Sequence, residues 1–286
     1  MGVGLHGLAL VALRQSDLRE TRARLEEALS LLDGRGSRSL RASALTHHGY
    51  VLLLLGERER ALQVSEEALT EARRLRKDPL IATSTSVLAS QFALAGDYPR
   101  ARALCAEAVA VRRRLGARLR LVNALSNLGC VAILEDDYAE ASAALEEALC
   151  LADEREMRDS VVLIQGNLAL VSLFSGERAL AETRLRQTMV LAREIGQKLC
   201  VIEALRGYAA LAVSEGQHER GALLWGAAAG LTAQVGGDPS PATDKIRKQF
   251  LEPALAGADA AGFEAAVERG QKLTLEEAVE YALAAK

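Results

Sequence analysis

The strongest constraint on the fold of this chain is an internal repeat with a period of about 40 residues, which runs through most of the sequence without an insertion. Self-similarity at a fixed period of this length is typical of arrays in which each unit buries its apolar face against the next. Three positions of the unit carry small residues: Ala9, Gly49, Ala89, Gly129, Ala169 and Ala209; Thr21, Ala61, Ala101, Ala141, Ala181 and Gly221; and Ala28, Ala68, Ala108, Ala148, Thr188 and Ala228. A turn position lies between the first two: Ser16, Gly56, Gly96, Asp136, Gly176 and Gly216.

Each unit has the pattern of two helices joined by a short turn. Gly after an apolar helical run supplies the left-handed backbone that ends a helix. Asp17, Asp97 and Asp137 follow the turns and can cap the next helix through its free amide groups. Asp78 with Pro79 indicates the same kind of start between two units. We therefore predict six helical hairpins, at about 1–36, 37–77, 78–117, 118–157, 158–197 and 198–235.

Composition favours helices and argues against several functions. Half of the residues are apolar, only 3% are aromatic, and five are proline. A net charge of -3 gives no attraction to nucleic acid, and no apolar run is long enough to span a membrane, so we expect a cytoplasmic protein without direct nucleic-acid or membrane partners. The cysteines, which are Cys105, Cys130, Cys150 and Cys200, form no CxxC pair, so we expect reduced thiols, no metal and no cofactor.

Two segments resemble the tetratricopeptide repeat, "ALTHHGYVLLLLGERERALQVSEEAL" and "ALSNLGCVAILEDDYAEASAALEEAL". The resemblance covers about residues 2–235 and implies an all-α superhelix, a tetratricopeptide solenoid of six 40-residue hairpins spanning residues 1–235. It also implies a concave groove, lined by the first helix of each pair, that holds an extended peptide.

The repeat breaks at residues 236–244, "GGDPSPATD", which we predict to be a loop. Residues 245–286 are predicted to form a short helical cap, with helices near 245–256, 259–269 and 274–284; Thr274 and Glu277 fit a capping box that opens the last one. The segments "LLWGAAAGLTAQVGG" and "FEAAVERGQKLTLEEAVEYAL" resemble the end of the helical-repeat region of LuxR-type and STAND-class bacterial transcriptional regulators. The chain departs from the full pattern of these regulators because it has no GxxxxGK[ST] phosphate loop, so this resemblance implies a sensor or interaction module and no ATPase role.

The groove that the first resemblance implies has a candidate set of lining residues. Asn123 and Asn127 share one helix face, and Asn167 repeats the position of Asn127 one unit later. Amide side chains both donate and accept, so this ladder suits the backbone of an extended peptide; the alternative is that the asparagines are solvated or bond to neighbouring helices. The other candidates are Ser86, Ser90, Ser126, Tyr50, Leu170, Phe174, Glu203 and Arg206. For Tyr50 and Phe174 the alternative is packing in the core, and for Glu203 with Arg206 it is a mutual ion pair.

The sequence therefore predicts a binding module and not an enzyme, since it lacks GxSxG, HExxH and any glycine-rich nucleotide loop. The expected partner is a protein or peptide in the groove, with a small effector as another ligand class. The alternative function is a structural scaffold or a homo-oligomerisation module that has no separate ligand.

Overall fold

In the computed structural model, helices make up the secondary structure, and the predicted all-α fold of repeated hairpins is confirmed. The structure describes residues 2–14, 17–33, 37–235, 240–257 and 260–284, and within these ranges there is no strand. The first six helices are α1 Gly2–Arg14, α2 Leu18–Leu32, α3 Arg38–Leu54, α4 Arg58–Arg74, α5 Asp78–Leu94 and α6 Tyr98–Arg114. The next six are α7 Arg118–Leu134, α8 Tyr138–Asp153, α9 Arg158–Phe174, α10 Arg178–Glu194, α11 Lys198–Ser214 and α12 His218–Val235.

Turns recur within the hairpins and between them, and most contain one residue with positive φ. The hairpin turns use Gly56, Gly96, Asp136, Gly176 and Gly216, as the repeat predicts, while Ser16 lies outside the described residues. The turns between hairpins use Arg76, Gly116, Glu156 and Gly196. From Gly56 to Gly216, a left-handed residue therefore ends both the first and the second helix of a hairpin.

Capping side chains begin three of the second helices. Asp17, Asp97 and Asp137 accept hydrogen bonds from the backbone amides of Glu20, Arg100 and Glu140, respectively. Between hairpins, the prediction that Asp78 caps the start of the next helix was wrong, because Lys77 occupies the N-cap of α5. Asp78 is the first helical residue instead, where it forms an ion pair of 2.6 Å with Arg114.

The small residues of the repeat lie where helices pack closely. The alanines at all three ladder positions, with Thr21 and Thr188, are at most 1% exposed. Gly129 shows why a larger side chain does not fit, because a Cβ atom there would lie 2.5 Å from Cγ of Leu145. The small residues of the repeat therefore mark the positions at which neighbouring helices pack closely.

Contacts divide the chain into two compact units, Met1–Leu128 and Gly129–Lys286, called unit 1 and unit 2 below. The core of unit 1 includes a buried cluster of Ala9, Leu25, Ala44 and Val51, which joins its first two hairpins. The prediction of one solenoid domain over residues 1–235 stays a prediction.

The C-terminal segment of unit 2 starts its first helix earlier than the sequence predicts. Residues 236–239 lie outside the described residues, but α13, Pro241–Ile246, occupies most of the remainder of the predicted loop at 236–244. The reason is local, because Ser240 accepts a hydrogen bond from the amide of Thr243 and the ring of Pro241 presets helical backbone. A π-helical segment, Arg247–Leu251, and α14, Glu252–Leu255, continue this helix.

Two further helices of unit 2 pack beside the last hairpin of the repeat. These are α15, Ala260–Gly270, and α16, Leu275–Leu283, and Thr274 with Glu277 forms the predicted capping box. The backbones of α12 and α15 approach so closely that a Cβ on Gly226 would lie 2.1 Å from the carbonyl oxygen of Val267. Among the described residues, no helix combines the length and the apolar character that a membrane span requires.

Candidate functional site

Unit 2 contains a cavity of about 280 Å³ on the face formed by its first helices. Its walls come from α7, α9 and α11, with α10 behind them and the start of α13 at one side. Most of the lining side chains are apolar. The lining residues are Cys130, Ile133, Leu134, Val162, Leu163, Gly166, Asn167, Leu170, Leu185, Thr188, Leu199, Cys200, Glu203, Ala204, Ser240, Pro241 and Ala242.

Two thiols and one amide provide part of the polar lining of the cavity. Asn167 on α9 donates a hydrogen bond of 3.2 Å from Nδ2 to Sγ of Cys130 on α7. Burial raises the pKa of Cys130 to about 11, although the bond from Asn167 works in the opposite direction. Burial, followed by the charges of Glu203 and Asp159, also raises the pKa of Cys200 to about 11. Both thiols are therefore protonated at neutral pH and behave as small, weakly polar wall groups.

Glu203 carries the charge that lines the cavity. Its carboxylate accepts a hydrogen bond of 2.5 Å from Nη1 of Arg206, so the predicted mutual ion pair is present. Burial raises the pKa of Glu203, and the charge of Arg206 opposes this shift. Arg206 is only 5% exposed and also donates to Thr232 and Thr243. This corrects the expectation that Arg206 faces an open groove, because its donors are already directed at residues of unit 2.

The C-terminal segment of the chain covers another part of this face. Lys245 on α13 donates to the carbonyl oxygen of Ile133 and, over 2.7 Å, to the carboxylate of Asp136. The hydrogen bond from Lys245, with a second one from Tyr138, lowers the pKa of Asp136. The same ammonium lies 5.0 Å from the ring centroid of Phe174, a distance suited to a cation–π contact.

Phe174 is consequently an interior residue and not an open groove aromatic. Its ring lies between Tyr138, at 6.0 Å between centroids, and Phe250 of the π-helical segment, at 5.9 Å. Phe174 is 8% exposed, which agrees with the alternative interpretation that it packs in the core. The register of the repeat does not indicate this burial, because Phe250, which contacts Phe174, lies in a segment outside the repeat.

The predicted site residues divide between the two units. Asn167, Leu170 and Glu203 meet at the cavity of unit 2. In unit 1, Ser86 accepts from Arg112 at 3.0 Å, and Ser90 donates to the carbonyl oxygen of Ser86. The other residues predicted in unit 1 differ in accessibility: Tyr50 and Asn123 are exposed, whereas Ser126 and Asn127 are half-buried. Their roles in binding stay predictions.

Sequence reasoning missed several cavity residues. Cys130 precedes Leu170 by one period of the repeat, so extending the register by one unit would have found it. Leu199 and Cys200 lie at the start of α11, one helical turn before Glu203, and the same helix face would have indicated them. Ser240, Pro241 and Ala242 follow the end of the repeat, where the period carries no information.

The geometry is suited to binding an apolar group. The cavity has about twice the volume of an engineered cavity of about 150 Å³ that binds benzene. Leu163 and Leu199 line it and are themselves exposed, so apolar surface continues from the cavity to the solvent. The fold and this site define a class of protein: a helical-repeat protein with an apolar pocket on the first-helix face of one unit.

Comparison with known proteins identifies the repeat. Residues 80–154 match the family model described as Tetratricopeptide repeat, and the chain has the fold of tetratricopeptide repeat proteins. The resemblance on which the fold was predicted is therefore confirmed. Among proteins with curated descriptions, none matches this sequence.

Solved structures with the same fold share little sequence with this chain. A tetratricopeptide repeat protein from Parabacteroides merdae is 18% identical with a TM-score of 0.55, and the match covers 99% of each chain. A Rap protein complexed with Competence and Sporulation Factor is 12% identical with a TM-score of 0.64, covering 87% of this chain and 73% of that one. A STAND protein with a tetratricopeptide repeat sensor from Pyrococcus horikoshii is 12% identical with a TM-score of 0.65, covering 91% of this chain and 44% of that one.

Proposed function

We propose that this chain is a non-enzymatic module that binds a protein segment or peptide, and that it is the sensor or interaction part of a cytoplasmic bacterial signalling or transcriptional regulator. The observation that carries the proposal is the apolar cavity of unit 2, which lies on the first helices of its hairpins. A pocket lined mainly by apolar side chains with a few polar groups is the usual form of a ligand site.

The cavity would hold one apolar side chain of the bound segment, while its edge would hold the backbone. Asn167 and Glu203 line the same cavity as Leu170, so polar and apolar groups act on one ligand. The amide of Asn167 uses Nδ2 to bond to Cys130, and its Oδ1 atom is suited to accept from a peptide N–H. Burying an aliphatic or aromatic side chain contributes about 1.5–3 kcal/mol, which is a large share of a moderate affinity.

Two proteins of similar fold support the regulatory part of the proposal. The similar Rap protein was solved as a complex with Competence and Sporulation Factor, and the similar STAND protein has its repeats as a sensor. Because each is only 12% identical to this chain, the likeness is one of fold. The shared fold supports the proposal that this chain also binds a ligand.

The proposal is tested by filling the cavity. A Cβ on Gly166 would have only Thr188 Cγ2 nearby, at 3.5 Å, so Gly166→Phe is expected to direct a ring into the cavity without displacing a helix. Peptides would be selected from a random phage-displayed library on the immobilised wild-type chain, and their affinities measured by fluorescence anisotropy. We expect Gly166→Phe to weaken the selected peptides by about tenfold or more.

The matched control places the same ring elsewhere on unit 2. Gln187→Phe lies on the exposed side of α10, and we expect it to leave peptide affinity unchanged. Circular dichroism would establish that both variants are folded. Selection of no peptides, or equal affinity for the wild type and Gly166→Phe, would contradict the proposal and favour the scaffold alternative.

A further inference from the structure

The part of unit 1 that corresponds to the cavity of unit 2 carries more polar side chains. Each residue that lines the cavity before Ser240 has a counterpart two periods earlier in the sequence, and these counterparts all belong to unit 1. None of the counterparts is Asp or Glu. Those that carry a side-chain oxygen or nitrogen, called the polar surface of unit 1 below, are Tyr50, Thr83, Ser86, Ser90, Arg120 and Asn123.

Arg112 on α6 places a buried guanidinium group against this polar surface. It donates from Nη1 to Oγ of Ser86 at 3.0 Å and from Nη2 to the carbonyl oxygen of Ala82 at 3.1 Å. Arg112 is only 7% exposed, and among the described residues its buried Nε atom has no hydrogen-bond partner. Because an unpaired buried N–H is unfavourable, this atom favours a further acceptor.

The repeat does not require an arginine at this position. The counterparts of Arg112 in the other hairpins are Leu32, Ala72, Ala152, Ala192 and Thr232. Small or apolar side chains are therefore sufficient for packing at this point of the second helix. A buried charge here is costly unless another group compensates for it.

Arg120 on α7 adds a second positive charge to the same surface. Burial lowers the pKa of Arg112, and the charge of Arg120 acts in the same direction. Within the ranges that the structure describes, neither arginine forms an ion pair with Asp or Glu. The cavity of unit 2 differs in this respect, because Glu203 pairs with Arg206 there.

We propose that the polar surface of unit 1, together with Arg112, binds the phosphate group of a small soluble molecule, either inorganic phosphate or a phosphate ester. A doubly charged phosphate balances two guanidinium groups, whereas a carboxylate balances one. Arg112 would contribute Nε, and the exposed side chains of Arg120 and Asn123 would contribute further donors. This site goes beyond the function proposed for unit 2, since it shares no residue with the cavity.

Isothermal titration calorimetry of the full chain tests the proposal directly. Inorganic phosphate, glycerol 2-phosphate and acetate would be titrated at constant ionic strength and about pH 8, where phosphate is doubly charged. We expect saturable one-to-one binding of phosphate or of the ester, and tighter binding of the ester would identify an ester as the ligand. No binding of either, or equal binding of acetate, would overturn the proposal.

Removal of each charge tests which arginines bind the phosphate. Arg120→Gln and Arg112→Ala should each weaken binding by about tenfold or more, because each loses a charged hydrogen-bond donor. Alanine is the residue of the repeat at Ala72, Ala152 and Ala192, so we expect Arg112→Ala to fold, which circular dichroism would check. Arg58→Gln removes the same charge from an exposed position on α4 and should bind like the wild type.

Asn123→Glu gives an independent test, because it places a carboxylate at the position that Glu203 occupies in unit 2. The new carboxylate should compete for the arginines and abolish phosphate binding without loss of helix content. Unchanged binding in this variant, or in Arg112→Ala, would mean that the phosphate does not contact this surface and that Arg112 only stabilises α5. The peptide affinity of unit 2 is measured separately, so this proposal and the proposed function can fail independently.

Discussion

Single small residues set the distance between helices in this chain. At Gly129 on α7, a Cβ atom would lie 2.5 Å from Cγ and 2.9 Å from Cδ2 of Leu145 on α8. Leu145 is completely buried, so it has little room to move away. The identity of the residue at this position is therefore decided by packing and not by helix propensity, which would favour alanine over glycine.

We predict that Gly129→Ala destabilises unit 2 by about 1–2 kcal/mol, because the strain of overpacking exceeds the gain in helix propensity. Guanidinium chloride denaturation followed by circular dichroism would measure the change. Gly166→Ala is the matched control in α9, since its Cβ would only touch Thr188 Cγ2 at 3.5 Å and should leave stability unchanged or slightly higher. Equal stability of Gly129→Ala and the wild type would contradict the packing argument.

The register of the repeat was enough to predict some residues of the cavity but not others. Asn167, Leu170 and Glu203 follow from the helix faces that the period defines, and the structure places all three at the cavity. Phe174 and Arg206 were predicted from the same helix faces. However, Phe174 contacts Phe250 and Arg206 donates to Thr243, and both of these partners lie outside the repeat. Contacts of this kind leave no local signal, because they join residues that are far apart in the sequence.

The repeats differ in the residue at the N-cap of their second helices. Asp17, Asp97 and Asp137 cap their helices, whereas Glu177 occupies the same position of α10 without a side-chain capping bond. The backbone angles agree, with φ -81° and ψ 64° at Glu177 against φ -87° and ψ 69° at Asp97. The longer side chain of glutamate is the difference that leaves the amides of α10 without this cap.

Glu177→Asp should therefore stabilise the chain by about 0.5–1 kcal/mol, because the shorter carboxylate can accept from the free amides at the start of α10. The midpoint of chemical denaturation reports the effect. Glu177→Ala is the control, and it should be no more stable than the wild type because it cannot cap. If the aspartate variant behaved like the alanine variant, capping would not be what distinguishes these repeats.

Wherever the period applies, the observed helices follow its 40-residue units. Each predicted hairpin range from 37–77 to 198–235 contains one pair of observed helices, because glycine and aspartate act locally at the turns. After the repeat, Gly, Pro and Asp at 236–244 predicted a loop, although α13 begins at Pro241. The same residue types can end one helix or begin another, and composition alone does not distinguish the two.

At the scale of the whole molecule, the chain is an array whose parts are stabilised by their neighbours. Interfaces between adjacent elements then carry most of the stability, and a local defect spreads only as far as these interfaces. The two compact units, Met1–Leu128 and Gly129–Lys286, agree with this description. A defect in the last hairpin should therefore affect unit 2 and leave the first hairpins unchanged.

Gly226→Ala provides this test, because its Cβ would lie 2.1 Å from the carbonyl oxygen of Val267 and 2.9 Å from its Cα. These are backbone atoms, so α15 must move away from α12. The backbone amides of α15 should then lose protection from hydrogen exchange. Hydrogen exchange measured by mass spectrometry should increase in α12, α15 and α16, and stay unchanged from α3 to α6. Ala229→Ser, at an exposed position of α12, should change neither region. A uniform increase along the chain would mean that the array unfolds as one cooperative body, and an unchanged α15 would mean that the close contact with α12 does not exist in solution.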